Sequence, residues 1–165
     1  MNGADPFGHR YELSPEGTLS VAPPVDSEHA AIASRILVWL ALAGWPADQI
    51  LQAVGVKISG PGENGGRIPD LTVWSAPQPR SVWLALTELL LAVEIVSPGS
   101  VAMDEIVKLR EYAEAGIPRY WLVERDVAQT VTLHVLGADK TYEVAAKMPL
   151  AWLLQTKPAD HNIVG

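Results

Sequence analysis

Two hydrophobic periods alternate along this chain, one of about two residues and one helical. "YELSPEGTLSVAPP" alternates apolar and polar positions around the turn "PEG", which predicts a hairpin of two short strands from about Tyr11 to Ala22. Beyond it His29, Ile32, Ala33, Ile36 and Leu40 recur at helical spacing and share a face. Asp26 or Ser27 can cap that helix, and Gly44 stops it after about Ala43. Pro46 suits the first turn of a short second helix, "PADQILQA". "VGVKIS" then reads as a strand, "GPGENGG" as an exposed loop, and "RIPDLTVW" as a strand with Pro69 near its start.

The second half is richer in strands. "SVWLALTELL" fits helix or strand, and the chain is expected to be extended by Leu91. "SVAMDEIVKLREYAEAG" predicts a helix capped by Ser100 and stopped by Gly116, with Met103, Ile106, Val107 and Ala113 facing inward. "PRYWLVE", "QTVTLHVLG" and "TYEVAAK" read as three further strands. Strand 91–97, helix 101–115 and strand 119–124 would form a right-handed βαβ crossover. The mixed order predicts a single α/β or α+β domain, and no internal repeat or low-complexity tract interrupts it.

Composition narrows the classes. A chain of 165 residues with 48% hydrophobic and 19% charged residues can bury a substantial core without staples. Without cysteine, neither a disulfide framework nor a zinc–thiolate site is available. "MNGADPFGHRYEL" lacks the basic and apolar regions of a signal peptide, and the most apolar runs are broken well short of a bilayer span. A cytoplasmic protein with no membrane association is therefore expected. A net charge of −7 works against a passive nucleic-acid coat. Carboxylates awaiting a cation would add to that count, so a metal-dependent enzyme acting on phosphates remains open.

One residue breaks the pattern. In "LAVEIVSPGS", Glu94 sits among β-formers that suit a buried strand, where a carboxylate is costly unless paired, protonated or bound to a cation. Asp70, in "IPD", lies just inside another strand, and Lys108 lies on the helix after Glu94. If the two strands are neighbours, both carboxylates can converge on a hard cation such as Mg²⁺, and the lysine can position water or stabilise developing phosphorane charge. Simpler roles fit the same residues. Asp70 can be a turn residue, Glu94 can face solvent on an edge strand, and Lys108 can pair with Asp104 one helical turn earlier. His29 can point into a site or be a hydrogen-bonded core histidine. His9, His134 and His161 show no ligand spacing, and "GPGENGG" lacks the context of a phosphate-binding loop. Trp39, Trp74 and Trp121 fall within predicted elements and suit core packing or a dimer seam.

Taken in order, "YEL", a histidine, "RIPDLTVW", "LAVEIVSPGS" and "DEIVKLREYAEAGIPRYWLV" resemble the Uma-two-type restriction endonuclease family of the PD-(D/E)XK nuclease superfamily. The resemblance runs from about Tyr11 to the strands near residue 146. It implies a restriction-endonuclease-like mixed β-sheet flanked by helices, here one domain over 11–156 with tails at 1–10 and 157–165. It further implies Asp70 and Glu94 as the acids that hold Mg²⁺ or Mn²⁺, with the backbone carbonyl of Ile95 as a further ligand. The superfamily's usual lysine would fall at Val96, so Lys108 looks like a migrated lysine delivered from the following helix. Glu12 and His29 match accessory positions.

The function expected on this basis is metal-dependent hydrolysis of phosphodiester bonds in nucleic acid, with DNA as substrate. A homodimer could supply a longer phosphate track. Two other readings stand beside it. A non-catalytic interaction domain on the nuclease fold suits the acidic charge, since fold and motif can outlast catalysis. A hydrolase of small phosphoesters suits the charge too.

Overall fold

The computed structural model describes residues 8–60, 63–97 and 102–164. Its two mixed sheets and three helices form a single α+β domain. The first hairpin pairs β1 (Arg10–Leu13) with β2 (Leu19–Ala22). Helix α1 (Ser27–Leu42) follows, and Asp26 caps it by accepting the His29 N–H at 3.0 Å. Strands β3 (Ile50–Gln52), β4 (Gly55–Gly60), β5 (Glu63–Arg67), β6 (Leu71–Trp74) and β7 (Trp83–Leu84) lead to β8 (Leu89–Ile95). Helix α2 (Ala102–Glu114) then crosses to β9 (Arg119–Val123), which pairs parallel with β8. The chain closes with β10 (Thr130–Leu136), β11 (Tyr142–Pro149) and the short helix α3 (Leu150–Leu153).

The larger sheet has the order β11-β10-β9-β8-β6-β3 and the smaller β2-β1-β5-β4-β7. Side chains alternate along β8, so its two faces serve two cores. Leu91, Val93 and Ile95 join Ile32, Ile36 and Leu40 of α1 in one core, which α3 extends through Leu150 and Leu153. Ala92 joins Val56 and Ile58 of β4, Tyr112 of α2 and Tyr120 of β9 in the other. Each of these buried Val, Leu and Ile side chains contributes roughly 1.5–3 kcal/mol of hydrophobic stabilisation. Pro158 and Ile163 are also buried, the latter in the α1 core. Among the described residues no helix is long and apolar enough to cross a membrane.

The hairpin, α1 with its buried face, the crossover and the last three strands lie where the periodicity places them. Other segments differ for reasons of packing. "PADQILQA" is one 3₁₀ turn, Ala47–Gln49, followed by β3, because pairing with β6 holds Ile50 extended. The expected loop "GPGENGG" instead supplies most of β5, paired along its length with β4, while residues 61 and 62 lie outside the described residues. "RIPDLTVW" is divided between the end of β5 and β6, so Asp70 stands just before a strand, not inside it. Ile106 and Val107 are 53% and 39% exposed, because Glu111 and Tyr112 take the inward positions of α2 beside Ala113. The proposed cap Ser100, the side chain of Met103 and residues 1–7 of the N-terminal tail lie outside the described residues.

Gly65 sets how closely β1 and its turn approach β5 within the smaller sheet. A Cβ there would lie 2.7 Å from Pro15 N and 2.8 Å from Leu13 O, both backbone atoms that cannot rotate away. Gly65→Ala is therefore expected to destabilise the fold by about 1–3 kcal/mol through overpacking. A urea denaturation midpoint equal to wild type would show instead that β1 can lift off β5 without cost.

Candidate active site

The pairing of β6 with β8 aligns the two acids. Leu71 faces Val93 and Thr72 faces Ala92, so Asp70, one residue before β6, stands level with Glu94. Its Oδ1 accepts from Arg10 Nη1 at 2.8 Å, and its Oδ2 accepts from the Ile95 N–H at 2.7 Å. His29 Nε2, from the first turn of α1, lies 3.1 Å from the same Oδ2. That contact lacks hydrogen-bond alignment, and both ring nitrogens of His29 are buried without a hydrogen-bond partner. Burial pushes the Asp70 pKa up, but His29, the Ile95 N–H and Arg10 outweigh it and hold the carboxyl below its usual range.

Glu94 is buried on an interior strand, between β6 and β9, which removes the solvent-facing edge role. Tyr112 Oη donates to its Oε1 at 2.7 Å, and Lys108 Nζ lies 3.5 Å from that oxygen. Burial still dominates, and the pKa is pushed up to about 7. Lys108 pulls it down most strongly, the charges of Asp70 and Glu12 push it up, and the Tyr112 hydroxyl pulls it down again. Glu94 is thus tolerated among valines by a tyrosine, a lysine and a readily retained proton. Tyr112 in turn is held far above the ordinary phenol range by burial and by the Glu94 charge.

A buried ion-pair network surrounds this pair. Arg67 Nε and Nη2 donate to Glu111 Oε2 and Oε1 at 2.7 and 2.9 Å, a bidentate geometry. Arg67 Nη1 also reaches Glu12 Oε2 at 3.4 Å, while Glu12 Oε1 accepts the Ile68 N–H at 2.8 Å. Lys108 Nζ lies 3.2 Å from Glu12 Oε2, so Glu12 and Glu94 share the lysine. Burial lowers the proton affinity of Arg67, but Glu111 more than offsets it and the guanidinium is held charged.

The structure therefore brings Asp70, Glu94, Lys108, Glu12, His29 and the Ile95 backbone into one cluster. The side chain of Asp104, the alternative partner of Lys108, lies outside the described residues. Sequence reasoning missed Arg10, Arg67, Glu111 and Tyr112. For two of them a signal existed: Glu111 and Tyr112 follow Lys108 by three and four positions and so share its helix face. His134 belongs to the core, with Nδ1 3.1 Å from the Tyr120 carbonyl and its ring stacked on Tyr120. Among the described residues no group of three or more His, Asp or Glu side chains could hold a metal unaided.

The helix-flanked mixed sheets form a restriction-endonuclease-like α+β fold. It is similar to the crystal structure of a protein from Anabaena variabilis described as "a putative nuclease belonging to DUF820". The two superpose with a TM-score of 0.61 at 19% identity, covering 81% of this chain and 75% of that one. The chain belongs to the Uma2 family, whose profile, described as "Putative restriction endonuclease", matches residues 4–159. No curated protein matches it.

The raised pKa of Glu94 has a consequence for stability in chelator, where no cation competes with the proton. A carboxyl with a folded pKa of about 7 against an ordinary 4.5 stabilises the fold fully below about pH 4.5. That contribution is lost as pH rises through 7, and amounts at most to roughly 3 kcal/mol. Glu94→Gln should flatten this part of the stability–pH profile between pH 4.5 and 8 in urea titrations. An unchanged slope would assign it to another group.

Proposed function

We propose that this protein is a Mg²⁺- or Mn²⁺-dependent endonuclease that hydrolyses phosphodiester bonds of nucleic acid, with DNA as its substrate, through a PD-(D/E)XK-type site. The observation that carries the reading is the level placement of Asp70 and Glu94, with Lys108 3.5 Å from Glu94. The donor chemistry suits a hard divalent cation. Both acids offer carboxylate oxygen, and although burial is the main cause that raises Glu94, the neighbouring Asp70 charge adds to it, so a cation between the two acids would offset both. Mg²⁺ retains several waters and needs few protein ligands, so two carboxylates and one carbonyl are a sufficient set.

In this reading Asp70, Glu94 and the Ile95 carbonyl hold the cation. When bound, it supplies Lewis-acid stabilisation of phosphoryl oxygens and lowers the pKa of water. The remaining roles belong to the chain. Tyr112 fixes the rotamer of Glu94 through its 2.7 Å hydrogen bond. Lys108, held between Glu12 and Glu94, positions a water or offsets the negative charge that develops on phosphorus. Glu12 keeps the lysine in place and is itself fixed by Arg67 and the Ile68 N–H. The reading includes a cytoplasmic location and a homodimer. The net charge of −7 supports a second reading, a hydrolase of small phosphodiesters, which predicts cleavage of such esters and none of DNA.

Calorimetric titration with Mg²⁺ or Mn²⁺ tests the site directly. Asp70→Ala and Glu94→Ala should weaken binding by more than about 100-fold, beyond the loss seen for outer-shell partners, and abolish cleavage with the fold retained. Binding and cleavage equal to wild type in both variants would refute the assignment. Lys108→Met should retain cation binding yet slow cleavage by about 10²–10³-fold. Unchanged cleavage would leave Lys108 a structural counter-ion.

A further inference from the structure

Beside Asp70 lies a cavity of about 380 Å³, within the range of small-ligand pockets. Arg10, His29, Ser34, Gln52 and Asp70 contribute its polar lining, and Pro24, Val25 and Ala33 are among its apolar walls. Arg10 differs from the other cations of the cluster. Arg67 is 2% exposed and clamped by two carboxylates, and Lys108, 14% exposed, is held between Glu12 and Glu94. The Arg10 side chain is 24% exposed, and among the described residues its one carboxylate contact is with Asp70. That contact is on Oδ1, the oxygen left over after Ile95 has bonded Oδ2.

We propose that this cavity is a phosphate-binding subsite and that Arg10 is its phosphate ligand, parked on Asp70 until a divalent cation takes that carboxylate. The inference rests on the metal-site reading above and extends it to the substrate. A cation at Asp70 repels a guanidinium 2.8 Å from the same carboxylate. Arg10 then loses its counter-ion while keeping an open side toward the cavity. A guanidinium fork matches phosphate oxygens as well as carboxylate oxygens, so a phosphate of the bound strand is the natural replacement. Arginine and cation compete for Asp70, whereas arginine and phosphate cooperate.

The arrangement predicts opposite signs for one substitution. Arg10→Gln should bind Mg²⁺ about tenfold more tightly than wild type by calorimetry, since the competing charge is gone. At saturating Mg²⁺ the same variant should bind thymidine 3′,5′-bisphosphate at least tenfold more weakly. That probe has no phosphodiester bond, so binding is read without turnover. Arg10→Lys, which keeps the charge, should restore the wild-type Mg²⁺ affinity and part of the bisphosphate affinity. Thermal melting of both variants checks that they fold. Weakening of both ligands by Arg10→Gln would make Arg10 structural and overturn the proposal. Tighter Mg²⁺ with unchanged bisphosphate binding would reduce it to a counter-ion and overturn the phosphate role. Mg²⁺ binding by neither wild type nor variant would overturn the metal-site reading and this inference together.

Discussion

A guanidinium buried to 2% exposure is the constraint on which the rest of this site depends. Taking Arg67 out of water costs several kcal/mol, and only well-aligned carboxylates can offset it. Glu111 does so with two near-parallel hydrogen bonds, and that pairing fixes α2 against the end of β5. Once Glu111 is docked, Tyr112 and Lys108 lie on the inner side of the same helix, over Glu94. Arg67 also holds Glu12, so the hairpin is drawn into the same network from the other side. One arginine, through two carboxylates, thus ties β1, β5 and α2 together around the two acids.

The order of these dependencies explains why a carboxylate can stand in the middle of β8. Glu94 alone on that strand would be an unpaired buried charge, which the fold could not sustain. The helix that follows it in sequence returns to supply both partners, so the crossover β8–α2–β9 carries its own compensation. The compensation is incomplete, and Glu94 retains its proton to about pH 7. Asp70 is treated differently, with His29, a backbone N–H and an arginine that hold it ionised. Two acids at the same level, one just before β6 and one within β8, therefore differ in proton affinity because one meets its donors at the sheet's end and the other is roofed by apolar and aromatic side chains.

Much of this was legible locally. The α1 face, the hairpin and the β8–α2–β9 unit follow from periodicity, because their apolar positions meet a core at the spacing of the element itself. The failures share a cause as well. Ile106 and Val107 read as inward because apolar residues normally are, but ion pairing reserves the inner face of α2 for Glu111 and Tyr112. "GPGENGG" reads as loop because glycine has poor strand propensity, yet a Cβ on Gly66 would lie 2.4 Å from the ring of Trp83. Its place in the strand is dictated by a residue far along the chain. For the site, Asp70, Glu94 and Lys108 stood out by being misplaced or ordered in a motif. Arg10 and Arg67 did not, since an arginine's buried partners are visible only in three dimensions.

The acidic charge of the chain argues less strongly against a nucleic-acid substrate than its size suggests. What a phosphate meets is the local charge. Among the described residues the cluster holds four carboxylates, Glu12, Asp70, Glu94 and Glu111, against three cations, Arg10, Arg67 and Lys108. With every acid ionised, these seven groups sum to −1, and a proton on Glu94 brings them to zero. A divalent cation seated between Asp70 and Glu94 would carry the ionised cluster to +1. On the reading proposed here, the empty centre offers a polyanion no net attraction and the loaded one attracts it, within the Debye length of about 8 Å that applies at physiological salt. A surface that is acidic elsewhere then restricts phosphate contact to the one place where the cation sits.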